Sequence, residues 1–214
     1  MKLKNLFFAV TLVLAFTSMG FAQIAGSLHD FGAKAWNTSV GDQTCIICHT
    51  PHNAMTTVAN APLWNHQVSA VAAYTLYSGS TFNGASTISQ PDASSKLCLA
   101  CHDGTVGLEN YGGVTGGTAN IIAAYANLGT TLANDHPISF TYDAALVAAD
   151  GGGLKNPTTT LSGINAGLHI DDDMLFSGKM QCASCHDVHN QGGFANLLLK
   201  DNAASALCLT CHNK

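Results

Sequence analysis

The sequence predicts a chain that is mostly coil, with short α-helices and little or no β-sheet. Aromatic residues make up 7% of the 214 residues, and 21 residues are glycine. A five-residue pattern, Cys-x-x-Cys-His, occurs four times and contains all eight cysteines. From residue 23 onward, each copy has about 48 residues of chain, so loops are expected to dominate.

Each copy of the pattern has the form of an attachment site for one c-type haem. Two thiols three residues apart share one face of a helical turn and can form thioethers with the haem vinyl groups, while the following imidazole reaches the iron. The sequence therefore predicts four covalently bound haems c, stacked in a chain that forms most of the core. The predicted attachment residues are Cys45, Cys48, Cys98, Cys101, Cys182, Cys185, Cys208 and Cys211. The predicted proximal ligands are His49, His102, His186 and His212.

Zinc ribbons and thiol oxidoreductases also use paired cysteines. Four copies, each followed directly by histidine, favour haem over both alternatives. No cysteine remains outside the four patterns for a disulfide or a separate zinc site.

Residues 1–22 have the layout of a secretory signal peptide. Lys2 and Lys4 precede an apolar run, and Gly20-Phe21-Ala22 provides a small-residue cleavage site. The apolar run is shorter than the roughly 20 residues that a membrane span needs. We therefore expect a protein without a membrane span that is secreted to the cell surface or beyond, with the periplasm as the alternative.

Charged residues are sparse, at 10% of the sequence, and the formal net charge is −5. Binding to nucleic acid requires clustered cations, which this composition does not supply. The weakly charged, small-residue surface is better suited to contacts with other proteins.

Residues 23–214 are expected to form one tetrahaem domain, in which an insert over 103–181 separates two-haem modules at 45–102 and 182–212. The modules repeat each other, since Cys-His-x-x-His recurs in both and residues 95–102 match 205–212 at six of eight positions. The repeat predicts similar haem geometry in the two modules.

Several short elements are predicted along the chain. An Ala-rich stretch over 69–77 and an apolar stretch over 120–133 are predicted to be helical. Asp92 or Ser94 is predicted to cap a helix that carries the second motif, and a helical turn over 143–149 should end at the glycines of 151–153. The acidic run of 171–173 after His169 is interpreted as a surface turn, because it lacks the ligand spacing of a calcium loop.

Six histidines remain as candidates for the sixth coordination position of the irons. They are His29, His52, His66, His136, His169 and His189, with Met55, Met174 and Met180 as alternative ligands. An iron with two protein ligands has no position for substrate, so it exchanges electrons only. No other catalytic motif is found, and the sequence therefore predicts electron transfer rather than an enzyme.

The order of motifs along almost the whole of residues 23–214 resembles the doubled CxxCH-motif multihaem cytochromes. It is most similar to extracellular tetrahaem cytochromes of the OmcE type, which polymerise into filaments. The similarity lies in Cys-x-x-Cys-His-Thr-Pro-His-Asn, Pro-Leu-Trp-Asn, Leu-Cys-Leu-x-Cys-His-Asp-Gly, Asp-His-Pro-Ile, Cys-x-x-Cys-His-Asp-x-His and Leu-Cys-Leu-Thr-Cys-His-Asn.

The resemblance implies a set of distal ligands and a partner. The implied distal ligands are His29, His52, His136 and His189. Leu28 and Val188 depart from the pattern beside two of them, and neither His66 nor His169 matches it. The resemblance also implies a head-to-tail helical homopolymer in which His29 or His52 ligates a haem of the neighbouring subunit, with redox proteins or minerals as acceptors.

Two other functions stay open on the sequence. One is a monomeric periplasmic electron carrier whose ligands all come from one chain. The other is a multihaem reductase with one open iron, which the supply of spare histidines disfavours.

Overall fold

The structure is a computed structural model, and it describes residues 23–32, 34–37, 43–118, 122 and 124–213. The predicted signal peptide of residues 1–22 lies outside these ranges. Within them, no helix has both the length and the apolar character needed to cross a membrane.

Most of the described chain is coil, which confirms the predicted fold class. The α-helices are α1 (Ala93–His102), α2 (Ala144–Asp150), α3 (Ile170–Asp173) and α4 (Cys208–Cys211). Single 3₁₀ turns cover Thr44–Ile47, Ala124–Ala126, Cys182–Ser184, Ala195–Leu197 and Ala203–Ser205. Strands β1 (Phe140–Thr141) and β2 (Lys179–Met180) pair antiparallel, with Phe140 opposite Met180.

Helix α1 begins where the sequence predicts. Asp92 precedes it in an extended conformation, with φ −124° and ψ 179°, but the predicted capping bond from its side chain is not formed. The helix then runs through good helix formers and buries Leu97, Leu99 and Ala100. The second Cys-x-x-Cys-His motif is consequently held on a regular helix of ten residues.

Helix α2 confirms the predicted turn over 143–149. The Asp143 carboxylate accepts the backbone N–H of Leu146 at 2.9 Å, which satisfies one donor of the first turn. Gly151 ends the helix in the left-handed conformation, at φ 70°, where glycine carries no steric penalty.

The predicted helix over 69–77 is wrong. The backbone N–H of Tyr74 donates to the Gln90 side chain at 2.7 Å, and that of Thr75 donates to the Thr130 carbonyl at 3.2 Å. Because these donors bond to distant residues, they cannot form the helical i to i−4 pattern.

The described part of 120–133 likewise has only the 3₁₀ turn of Ala124–Ala126 instead of the predicted helix. The N–H of Leu128 donates to the His102 carbonyl at 2.7 Å, and that of Leu132 donates to the Thr75 carbonyl at 2.8 Å. The N–H groups of Leu128 and Leu132 therefore bond to the first two-haem module, whereas in a helix they would bond within the insert.

The apolar side chains form two small clusters. The larger lies in the insert and the second module, and the smaller joins the insert to α1. Members of the larger cluster are Phe140, Tyr142, Leu146, Ile170, Met174, Leu175, Met180, Leu207 and Cys211. Members of the smaller are Tyr74, Leu99 and Leu132.

A polar network joins the start of α1 to the residue preceding the third motif. Gln181, which is 1% exposed, donates to the Asp92 carboxylate at 2.6 Å. Its side-chain oxygen accepts hydrogen bonds from Ser95 and from Ser139, the latter at 3.2 Å. Lys179 adds an ion pair to Asp92 at 2.5 Å. The network fixes the second motif against the third.

We expect Gln181→Leu to lower the free energy of unfolding of the haem-loaded protein by about 1–3 kcal/mol. Leucine leaves Ser95 and Ser139 without their shared acceptor and Asp92 without one donor. Denaturant unfolding followed by far-UV circular dichroism measures the change. Gln191→Leu, at an exposed position, is the control and should stay within about 0.5 kcal/mol of wild type. Equal effects of the two substitutions would contradict the role of the network.

Candidate haem-binding sites

Each Cys-x-x-Cys-His motif lies on a single turn of helical backbone. Three of them end with the histidine N–H donating to the carbonyl of the first cysteine. These bonds are His49 to Cys45 at 2.9 Å, His186 to Cys182 at 3.2 Å and His212 to Cys208 at 3.0 Å. The second motif forms the last turns of α1. This backbone brings the two sulfurs and the following imidazole of each motif to one side, as thioether attachment and iron ligation require.

Three motif histidines are held in one tautomer by backbone carbonyls. Nδ1 lies 2.6 Å from the Pro62 carbonyl in His49, 2.7 Å from that of Ala126 in His102 and 3.0 Å from that of Asn196 in His186. A carbonyl only accepts, so Nδ1 carries the proton and Nε2 keeps a free lone pair. This is the arrangement that orients a metal-ligating histidine.

Histidine rings of distant segments lie opposite three of the four motifs. A metal–imidazole bond of about 2.0 Å, with each ring centre roughly 1.1 Å behind its nitrogen, places two trans imidazoles with their centres about 6.2 Å apart. The observed ring centres are 6.0, 6.1 and 6.4 Å apart for His29 with His102, His49 with His189, and His136 with His212. Each pair therefore has the spacing needed to hold one iron between two imidazoles.

The third motif has no such partner. Among the described residues, no histidine ring lies opposite His186 at this spacing, although His29 is near enough to interact with it electrostatically. His52, the remaining ligand implied by the resemblance, is exposed and makes no ring contact with another described histidine. The structure thus groups six of the eight predicted iron ligands into pairs and leaves His52 and His186 apart.

The environment of His29 keeps its ring neutral. The pKa of His29 is lowered to about 4, mainly by burial, with smaller contributions from the nearby His102 and His186. A neutral imidazole is the form that ligates iron. His29 therefore stays available as a ligand well below its ordinary titration range.

The second thiol of each motif does not resemble the reactive thiolate of a redox dithiol. Burial raises the pKa of the second cysteine in every motif, to about 11 for Cys48, Cys185 and Cys211 and to about 12 for Cys101. Redox-active dithiols work through a thiolate whose pKa is lowered. Buried, protonated thiols instead fit covalent attachment inside the fold.

Neighbouring motifs follow one another in space in the order of the sequence. The side chains of Cys98 and Cys182 interact, which raises the pKa of Cys98 and lowers that of Cys182. Electrostatic interactions also link Cys48 to Cys101 and Cys185 to Cys211. Groups attached at these sulfurs would form a continuous row from the first motif to the fourth.

The cysteines do not gather into zinc-like clusters. Within the described residues, three or more potential metal ligands converge at one place, formed by His169, Asp171 and Asp172. His169 and Asp172 lie 3.7 Å apart there, and their segment forms the start of α3 where the sequence predicts a surface turn. A four-sulfur site of the zinc-ribbon kind is thus not formed by the described cysteines.

The sequence did not indicate where the side chain of His66 lies. It is 1% exposed, its Nδ1 lies 2.8 Å from the Gln67 carbonyl, and its Nε2 lies 3.7 Å from the Cys101 sulfur. His66 therefore packs against the attachment sulfur of the second motif. Its position after Pro-Leu-Trp-Asn carries no sequence signal for this contact.

A cavity of about 700 Å³ lies beside His52 and His66. Trp64 contributes to its wall, and the indole N–H of Trp64 is buried without a hydrogen-bond partner. The cavity offers space next to the first two motifs, and the Trp64 N–H offers an unused hydrogen-bond donor. Both fit a bound group that carries carboxylates, as haem does with its propionates.

Together, the attachment turns and the facing histidines have the arrangement of a c-type cytochrome site, in which haem c would be bound through the cysteines. Residues 176–214 match the family described as the doubled CXXCH motif, and this match supports a multihaem c-type cytochrome that acts in electron transfer. The matched segment contains the third and fourth motifs. No curated protein matches the chain.

Proposed function

We propose that the chain is an exported tetrahaem c-type cytochrome, the subunit of an extracellular filament that carries electrons from the cell to an external acceptor. The observation that carries the proposal is the set of three histidine pairs with ring centres 6.0–6.4 Å apart. A protein built for electron transfer alone needs both axial positions of each iron filled by side chains.

Each haem, when bound, takes up and releases one electron. The protein would attach the haems through its cysteines and fill both axial positions of the irons with paired imidazoles. Carbonyl groups hold Nδ1 of His49, His102 and His186, so these rings need no reorientation when the charge of the iron changes. These features support electron transfer without an enzymatic site.

The filament is supported by the two predicted iron ligands that have no ring partner, His52 and His186. His189 follows the third motif by three residues and faces His49 of the first motif in the same chain. His52 stands at the equivalent position after the first motif, but it is exposed and does not face His186. We propose that His52 ligates the third haem of a neighbouring subunit. His29 is the weaker candidate for donation, because it already faces His102.

Exposed apolar side chains flank both proposed partners in this contact. Leu63 is 57% exposed, and its carbonyl accepts the N–H of Thr50 at 2.9 Å, close to His52. Val188, which is 38% exposed, lies two residues after His186. Burial of these residues between copies would stabilise a contact that brings His52 to His186.

The proposed assembly is heterologous, because the donor and acceptor surfaces differ. A head-to-tail contact of this kind that does not close into a ring gives a helical fibre. The haem row of each subunit would then continue into that of the next. Redox proteins or minerals outside the cell are the proposed acceptors.

Electron microscopy and carbon monoxide binding together test the proposal. We expect purified, concentrated protein to form filaments whose reduced haems do not bind carbon monoxide. Globular particles with the same closed haems would instead indicate a monomeric periplasmic carrier. One carbon monoxide per chain in the native protein would indicate an open iron, as in a reductase.

A further inference from the structure

Asp103 is a buried carboxylate that directly follows the iron ligand predicted for the second haem, His102. Only 3% of its surface is exposed. Its backbone N–H donates to the Leu99 carbonyl at 3.2 Å and so ends α1. The backbone therefore fixes Asp103 beside the second motif.

Three hydrogen bonds reach the Asp103 carboxylate. The Tyr74 hydroxyl donates to Oδ2 at 2.6 Å, and Thr105 donates to Oδ1 from its N–H at 2.8 Å and from its hydroxyl at 2.7 Å. These donors satisfy both oxygens of a carboxylate that is buried from water. Within the described ranges, no lysine nitrogen lies within 4.0 Å of it, so no cation neutralises the charge.

The charge of Asp103 acts on its surroundings. Burial raises the pKa of Tyr74 to about 12, and the hydrogen bond and charge of Asp103 raise it in the same direction. The pKa of Cys101 is raised mainly by burial, with Cys48 and Asp103 as further causes. Asp103 therefore contacts Tyr74 and stands two residues after Cys101, which is predicted to attach the second haem.

The four motifs differ at this position. The first and fourth are followed by the uncharged residues Thr50 and Asn213. The third is followed by Asp187, which is half-buried and accepts two backbone N–H groups. Asp103 is the most buried of the four, so water screens its charge least.

We propose that Asp103 lowers the reduction potential of the haem ligated by His102, relative to the haems whose motifs are followed by Thr50 and Asn213. Reduction adds one electron to the iron and breaks no bond, so a nearby negative charge disfavours the reduced form. Electrons on the row then reside longer on the outer haems than on the second. This inference rests on the proposed haem attachment.

Redox titration of the haem-loaded Asp103→Asn protein, followed by absorption, tests the inference. Asparagine keeps the size of the side chain and an acceptor for Thr105, while the Tyr74 hydroxyl can accept from its amide. We expect one midpoint potential to move upward. Asp201→Asn removes the same charge at an exposed position and should leave the potentials where they are in wild type.

Tyr74→Phe is a second variant, for which we expect the midpoint potential to shift in the opposite direction. It removes one donor from Asp103, so the carboxylate is less compensated and the same potential should move downward. Opposite shifts of the midpoint potential in the two variants would support the inference. A nonspecific change in the packing of the site would shift the potential in the same direction in both variants. Unchanged potentials in both, or an equal upward shift in Asp201→Asn, would overturn it. Haem content, measured on the same samples, separates these outcomes from a failure of haem attachment.

Discussion

His52→Ala should abolish filaments and leave one high-spin haem per chain. In the proposed assembly, His52 supplies the sixth ligand of the neighbouring third haem, for which the described residues of the same chain offer no facing ring. Loss of this bond removes the strongest link between subunits and opens one iron. Electron microscopy measures the assembly, and electron paramagnetic resonance with carbon monoxide binding measures the open iron.

His29→Ala is the matched control for this experiment. His29 faces His102 of its own chain, with ring centres 6.0 Å apart. Its removal should also produce one high-spin haem, but filaments should remain. If His29→Ala abolishes the filaments and His52→Ala does not, the proposed assignment of the donor is reversed.

His136→Ala should convert one closed iron of each chain into a site that binds carbon monoxide at full occupancy. Its ring centre lies 6.4 Å from that of His212, and its Nδ1 lies 2.9 Å from the Pro137 carbonyl, which leaves Nε2 available. The side chain is exposed, so its removal should open the iron without unfolding the chain. Absorption spectra of the reduced protein under carbon monoxide measure the change.

His169→Ala is the control for the fourth haem. His169 lies beside Asp172 and faces no motif histidine among the described residues. The substitution should leave carbon monoxide binding as in wild type. Binding in His169→Ala, or none in His136→Ala, would contradict the pairing of His136 with His212.

Local patterns of the sequence were sufficient for part of the helices. Helix α1 covers Cys98, Cys101 and His102 as predicted, but the Asp92 side chain does not cap it and bonds instead to the distant Lys179 and Gln181. Asp143 and Gly151 likewise mark the two ends of α2. These predictions succeeded because the interactions that decide them are close in sequence.

Long-range contacts explain the predictions that were wrong. The Ala-rich stretch over 69–77 has helix-forming residues, but Tyr74 and Thr75 donate their N–H groups to Gln90 and Thr130. Helix propensity is weak enough for such contacts to override it. No pattern within the stretch indicates these partners.

The pairing of histidines was also beyond the sequence itself. Counting residues gave six spare histidines, and the resemblance implied four of them as ligands. Which ring faces which motif depends on the fold, since His49 and His189 meet across most of the chain. The burial of His66 against Cys101 arises in the same way.

The measurement that tests the account most directly is the number and spin state of the haems in the purified, assembled protein. Mass spectrometry of the denatured chain counts the covalent haems, and electron paramagnetic resonance of the oxidised protein reports their axial ligation. The account predicts four haems per chain, all low-spin with two imidazole ligands. Fewer covalent haems, or a high-spin iron in the intact filament, would contradict it.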